Sequence, residues 1–248
     1  MPTNPNEIDL TKAGSIGFVD DAVFLGGANT LSGTGLFNTF VQIQHTGIEQ
    51  GYNTDAATHQ FDEKYSQFDH SLLLANVPIV IGDGSNGTVE GVAYRQFILD
   101  INEAGGAINP FLSLDKLQIW QEESRSLSNF TAGSGFAGTH TNGLAFDLDA
   151  GIDRWIAVKD LASGSGRSDV QVLIPDSYFI NDAAHRYVYL YSQFGVQSGF
   201  AADGGFEEWG VTKASGALGT TAALAVHKTA SVHGEPGGRG HHLFDQGR

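Results

Sequence analysis

Two stretches of the chain gather acids in patterns that suit a hard cation. In "FILDINEAGG" and "SLDKLQIW", Asp100, Asn102, Glu103 and Asp115 stand at the inner ends of two apolar runs, which flank a loop holding Gly, Asn and Pro. If the runs are neighbouring strands, these four oxygen-bearing side chains meet at one sheet edge. Like charges there repel unless a cation or a basic side chain compensates. Lys116 and Arg95 are close enough in sequence to supply plain ion pairs instead. Further on, "DLDAGID" places Asp147, Asp149 and Asp153 around Gly151. Calcium takes about six to eight oxygens from such flexible loops. The spacing is not that of an EF-hand, because the twelfth position is Val158 where a Glu is required. Both clusters are therefore read as metal candidates with Ca2+ as the ion, against ordinary acidic turns as the alternative.

Aromatics form a third candidate. "YVYLYSQF" and "FEEWGV" carry Tyr187, Tyr189, Tyr191 and Trp209, a platform for stacking on sugar rings if exposed. The competing explanation is a strand with one face in the core and the tyrosines on the other. Among the acids, Glu207, Glu208, Glu49, Glu90 and Glu103 are candidates for the carboxylate pair of a glycosidase, and no pairing stands out in the sequence. Other chemistries fail on inspection. "GDGSNG", Gly82–Gly87, has the dinucleotide glycine spacing, but the strand-like "TVEGVAYRQFILD" follows where a helix is needed, so it reads as a hairpin turn. There is no Walker lysine loop, no G-x-S-x-G elbow and no H-E-x-x-H. Cysteine is absent, which removes disulfides and thiolate chemistry. His241 and His242 lie side by side in a Gly-rich tail and read as solvated.

The elements that must position these residues are strands. "TFVQIQH" sets Val41 and Ile43 against Gln42 and Gln44; "DVQVLIP" sets Val170, Val172 and Ile174 against Gln171; "RYVYLYSQF" sets Val188 and Leu190 against its tyrosines. Counting similar runs gives about ten strands by Val211, separated by turn-rich segments. No three-turn helical stripe occurs, although "NEIDLTKAG" and "THQFDEKYSQ" each have room for a short helix. The expected fold is all-β, an antiparallel β-sandwich of jelly-roll-like form. Residues 1–212 form its domain, and residues 213–248 are a Gly-rich tail, disordered or packed on a partner.

Composition narrows the partners. Acidic residues outnumber basic ones 28 to 13, giving −15, which disfavours nucleic acid and anionic membranes and favours hard cations. No run of apolar residues is long enough to span a membrane, and "MPTNPNEIDL" lacks the apolar core of a signal peptide.

Several phrases in series carry a family resemblance: "FVQIQHTGIEQGYNTD", "QFILDINEAGG", "FLSLDKLQIW", "FDLDAGIDRWIAVKD", "DVQVLIPDSYF" and "YVYLYSQFG" with "GGFEEWGV". Over roughly residues 15–211 the chain resembles uncharacterised secreted bacterial β-sandwich proteins, many with exosortase-type (PEP-CTERM-like) sorting tails. The resemblance implies export and a role at the cell surface or in a matrix. The tail departs from that pattern, since no apolar span follows "GEPGGRG". The expected function is a non-enzymatic extracellular structural protein of a biofilm matrix or fibre, with calcium-stabilised loops and self-assembly into a homo-oligomer. A carbohydrate-binding module, with polysaccharide as partner, is the alternative. A glycoside hydrolase is the third reading, which facing buried carboxylates in a cleft would revive.

Overall fold

The computed structural model describes residues 6–27, 37–64, 67–103, 110–138, 143–161 and 168–212. The tail with His241 and His242 lies outside the described residues. The strands, in chain order, are β1 (Glu7–Asp9), β2 (Ile16–Val19), β3 (Ala22–Gly26), β4 (Phe37–Ile43), β5 (Thr46–Gly47), β6 (Glu49–Tyr52), β7 (Leu72–Leu73), β8 (Ile79–Ile81) and β9 (Ala93–Asn102). There follow β10 (Phe111–Glu122), β11 (Phe130–Thr131), β12 (Gly135–Phe136), β13 (Leu144–Asp147), β14 (Trp155–Lys159), β15 (Val170–Pro175), β16 (Tyr187–Phe194), β17 (Ala202–Asp203) and β18 (Phe206–Thr212). Many are only two or three residues long, too short to show a period in sequence, which is why about ten were expected. Among the described residues, helical structure is limited to single 3-10 turns at Leu74–Asn76, Asp176–Tyr178 and Ala183–His185, away from both segments with room for a helix.

Two seven-stranded sheets hold the long strands. The first runs β1-β14-β10-β16-β6, and the second β2-β3-β15-β9-β18-β4. Taken along the chain, β4, β6, β9, β10, β14, β15, β16 and β18 visit the second, first, second, first, first, second, first and second sheet. Within the sheets these eight stand in the orders β4-β18-β9-β15 and β6-β16-β10-β14. That crossing pattern, with antiparallel neighbours, is the eight-strand jelly roll of two Greek keys. The all-β sandwich expected from alternation is what forms.

Each inner face is built by the alternation read in the sequence. Phe97, Leu99 and Ile101 of β9, Val188 and Leu190 of β16, Val170, Val172 and Ile174 of β15 and Trp209 and Val211 of β18 meet in one buried core. The polar outer face of a strand needs no such partner, and the period of two sorts them. β10 changes parity part-way: Leu112 and Leu114 point inward, then Leu117 and Ile119. A bulge between Leu114 and Lys116 makes the switch, and Asp115 is its extra residue. Trp209 links the sheets with a polar contact, its Nε1 donating to Ser192 Oγ at 3.0 Å.

Gly82–Gly87 belongs to the connection between β8 and β9, which pair antiparallel. Gly82 N donates to Val92 O at 2.8 Å, and Gly84, Asn86 and Gly87 all take positive φ. The hairpin reading of this glycine-rich stretch holds.

Candidate functional site

The two runs of the first acidic cluster are not neighbours: β9 lies in the second sheet and β10 in the first. Alternation cannot say which sheet a strand joins, so the cluster is split. Asp100 and Asn102 sit on the outward face of β9, opposite Glu208 and Phe206 of β18. Asp100 is fully buried there and Asn102 half-buried. Glu208 beside it accepts from Gln42 Nε2, and burial raises its carboxyl. Asp115 is a clamp on its own bulge. Its Oδ2 accepts from Ser113 Oγ at 2.7 Å and Val196 N at 2.8 Å, and its Oδ1 from Gln197 Nε2 at 2.9 Å. The carboxylate thereby fixes the turn after β16 to β10.

The second cluster is answered by basic side chains. Asp149 Oδ2 pairs with Lys116 Nζ at 3.0 Å, and Asp149 Oδ1 accepts from Arg154 N at 3.0 Å. Arg154 Nη1 donates to the carbonyls of Leu148 and Ala150, each at 3.1 Å. Asp147 accepts from Gln118 Nε2 at 2.9 Å and from Asp149 N at 3.0 Å. Asp149 in turn holds the Lys116 ammonium above its usual range. Asp153 is exposed. Arg95, the other nearby base, pairs with Asp176 at 2.6 Å and not with the β9 acids.

The aromatic platform needs correction. Trp209 is in the inter-sheet core with no exposure, and Tyr189 and Tyr191 are 1 % exposed. The tyrosines do occupy the outer face of the first sheet, but a second small core covers them. Phe130 and Phe136 from the β11–β12 hairpin pack on Tyr52, Tyr189, Tyr191 and Trp120. Phe130 and Tyr191 ring centres are 4.7 Å apart, and Phe136 and Tyr189 4.6 Å. The hydroxyls are tied down too: Tyr189 donates to Ser124 O at 2.8 Å and Tyr191 to Gln50 Oε1 at 2.7 Å. Burial pushes the Tyr191 phenol up to about 12. Only Tyr187 keeps partial exposure, with Arg186 over its ring at 5.3 Å. No flat aromatic face is left by these four residues for a sugar to stack on.

The acids that do converge are Glu49, Glu207 and Glu103. Glu207 shares its strand face with Trp209 and Val211, so the alternation of β18 drives it into the sandwich. Glu49 is paired with Phe194 across β6 and β16 and so shares that residue's inward side. The two carboxyl groups face each other between the sheets and act strongly on one another, both without exposure. Glu49 Oε2 accepts from His45 N at 2.8 Å. Its Oε1 and both oxygens of Glu207 receive no N–H or O–H among the described residues. Glu103, 5 % exposed, follows the end of β9; its Oε2 accepts from Asp203 N at 3.0 Å, and its Oε1 has no donor among the described residues. Burial raises Glu49, raises Glu207 well above the ordinary carboxyl range, and pushes Glu103 up to about 8. Of the metal candidates read from sequence, Glu103 alone joins this site; Glu49 and Glu207 were read there only among the possible glycosidase carboxylates.

A fourth acidic spot lies outside the first sheet. His59 Nε2 is 2.8 Å from Asp69 Oδ2, and its Nδ1 is 3.2 Å from Glu63 O. Burial pushes Asp69 up to about 8. With both ring nitrogens occupied, His59 has no hand left to activate a nucleophile. Among the described residues no three His, Asp or Glu side chains stand in ready metal-binding geometry.

The facing pair Glu49–Glu207 lacks the access a hydrolase would need. Neither glutamate touches solvent, so no glycoside reaches them in this packing. The pair was hidden among many acids in the sequence. One signal was present: a glutamate on the same strand face as Trp209 and Val211. Its partner, Glu49, is distant in sequence and carries no local sign. No family model matches the chain, and neither a curated protein nor a solved structure matches it.

Proposed function

We propose that the chain is a non-enzymatic structural module of an extracellular matrix or surface layer, which assembles with copies of itself through β2. The observation that carries this reading is the contrast between sheet edges. β4 and β6 are closed by the segment that follows them. Asp62 Oδ2 and Glu63 Oε1 accept from Gln50 N and Tyr52 N, each at 3.0 Å. Lys64 N and His70 N donate to Gln42 O and Phe40 O at 2.9 and 3.0 Å. β2 ends the second sheet, and among the described residues no strand pairs its outer edge. It presents Ile16 and Phe18 at 41 % and 55 % exposure. Proteins ordinarily blunt such an edge with charge, Pro or a covering loop.

The partner that fits is a second copy of the chain. Antiparallel pairing of two β2 strands about Gly17 carries the acidic tip Asp20–Asp21 of one toward the turn holding Lys12 of the other, and a two-fold contact repeats that attraction. An open hollow of about 150 Å3 beside Phe18, lined by Asn6, Ile8, Ile152 and Arg154, extends the surface. Export is what the family resemblance implies, and the acidic charge suits a cation-rich exterior. The polysaccharide reading loses its support with the burial of Tyr189, Tyr191 and Trp209.

Sedimentation velocity of the full chain tests the proposal. Association that grows with concentration, lost in Phe18→Lys without a change in thermal stability, is the expected result. A wild type that stays monomeric, or a Phe18→Lys variant that associates equally well, overturns it.

A further inference from the structure

Glu207 is a fully buried carboxyl to which no described donor points, and it faces a second buried carboxyl across the sandwich. The charged groups acting on it most strongly are Glu49, Glu103 and Asp203, all acidic. On the elements around the site, His45 and Asp62 act on Glu49, and Asp203 acts on Glu103. Lys64 lies over the Phe206 ring at 5.2 Å and acts on the outward-facing Glu208. Buried like charges persist only if something neutralises them. Protons can do so. One divalent ion does the same work with a single particle and also meets the bare oxygens. The donor set is oxygen only, from long carboxylates on separate strands, which selects a hard cation of flexible geometry.

We propose that Glu49 and Glu207, with Glu103 closing in, bind one calcium ion between β6 and β18 and thereby pin the two sheets together. The three do not yet form a cage. Glu49 and Glu207 supply the contact already made, Glu103 brings its unbonded Oε1, and backbone carbonyls and water complete the shell. This goes beyond the assembly reading and stands whether or not β2 pairs.

The test uses the full chain stripped with EDTA. Added calcium at about 1 mM and about pH 7.5 is expected to raise the melting temperature by about 5 °C. Calorimetry should give one ion per chain. Glu207→Gln, nearly isosteric and neutral, should lose the rise, while Asp149→Ala, in the loop already closed by Lys116 and Arg154, should keep it. If calcium leaves the wild type unchanged and Glu207→Gln melts at or above it, the pair holds a proton and the proposal is wrong. Loss of the response in Asp149→Ala with retention in Glu207→Gln also overturns it. Should Glu207→Gln fail to fold, the wild-type calorimetry and Glu103→Gln decide: no binding heat, or an undiminished one in Glu103→Gln, sinks the site.

Discussion

The loop at residues 147–153 and the end of the sandwich at Glu49, Glu103 and Glu207 are both rich in acid, and they are balanced in opposite ways. In the loop each described carboxylate contact has an answer nearby: Lys116 on Asp149, Gln118 on Asp147, and Arg154 on the loop carbonyls. At the sandwich end the carboxyls answer one another. The difference follows from burial and reach. A loop at the surface lets a long lysine fold over it while its stem stays wet. An inward position between two sheets leaves no room for such a side chain, so the balancing charge has to be a proton or an ion. Acid content by itself therefore does not point to a cation; the absence of donors around the acids is the more telling sign.

The comparison can be pressed hardest at Asp115, an acid of the same sandwich end that is fully answered. Asp115→Ala strips an acceptor from Ser113, Val196 and Gln197 at once and should cost about 2–4 kcal/mol in urea unfolding. A cost below about 1 kcal/mol would mean the bulge holds its turn without the carboxylate.

A pH series comes next. Glu103 and Asp69 have folded-state pKa values raised to about 8 against 4.5 and 3.8 as free groups. The folded chain thus binds more protons than the unfolded one between those values, and stability must fall as pH rises. In EDTA, the melting temperature should decline from about pH 5 to about pH 8 and then level off. Asp69→Asn should flatten the slope without touching the calcium response. A melt independent of pH in EDTA would show that these acids are ionised in the fold.

The smallest effect is expected in the loop. Lys116→Met removes a half-exposed ion pair and should cost about 0.5–1 kcal/mol, less in high salt. A loss of several kcal/mol would mean that Lys116 balances more than Asp149.

Much of the fold was legible because the period of two was clean. Val188 and Leu190 went inward and Tyr187, Tyr189 and Tyr191 outward as the alternation of β16 dictates. The glycines at 82–87 marked a turn because a strand followed them. What stayed hidden was long-range. Nothing local tells β9 and β10 that they join different sheets, so Asp100, Asn102 and Asp115 were grouped by a contact that does not form. The small aromatic core was hidden for the same reason, since Phe130 and Phe136 lie on strands of two residues. Glu207 on an apolar face was visible in principle; only its meeting with Glu49 required the folded chain.

The position of β18 has a mechanical consequence. It is the last described strand, yet it lies inside its sheet, bonded to β9 on one side and β4 on the other. Its ladder bonds run across the strand axis. Tension drawn along the polypeptide beyond Thr212 would load both ladders sideways together, so the strand must slide as a unit instead of peeling off one bond at a time. A strand held on both sides in this way yields late and abruptly under such tension.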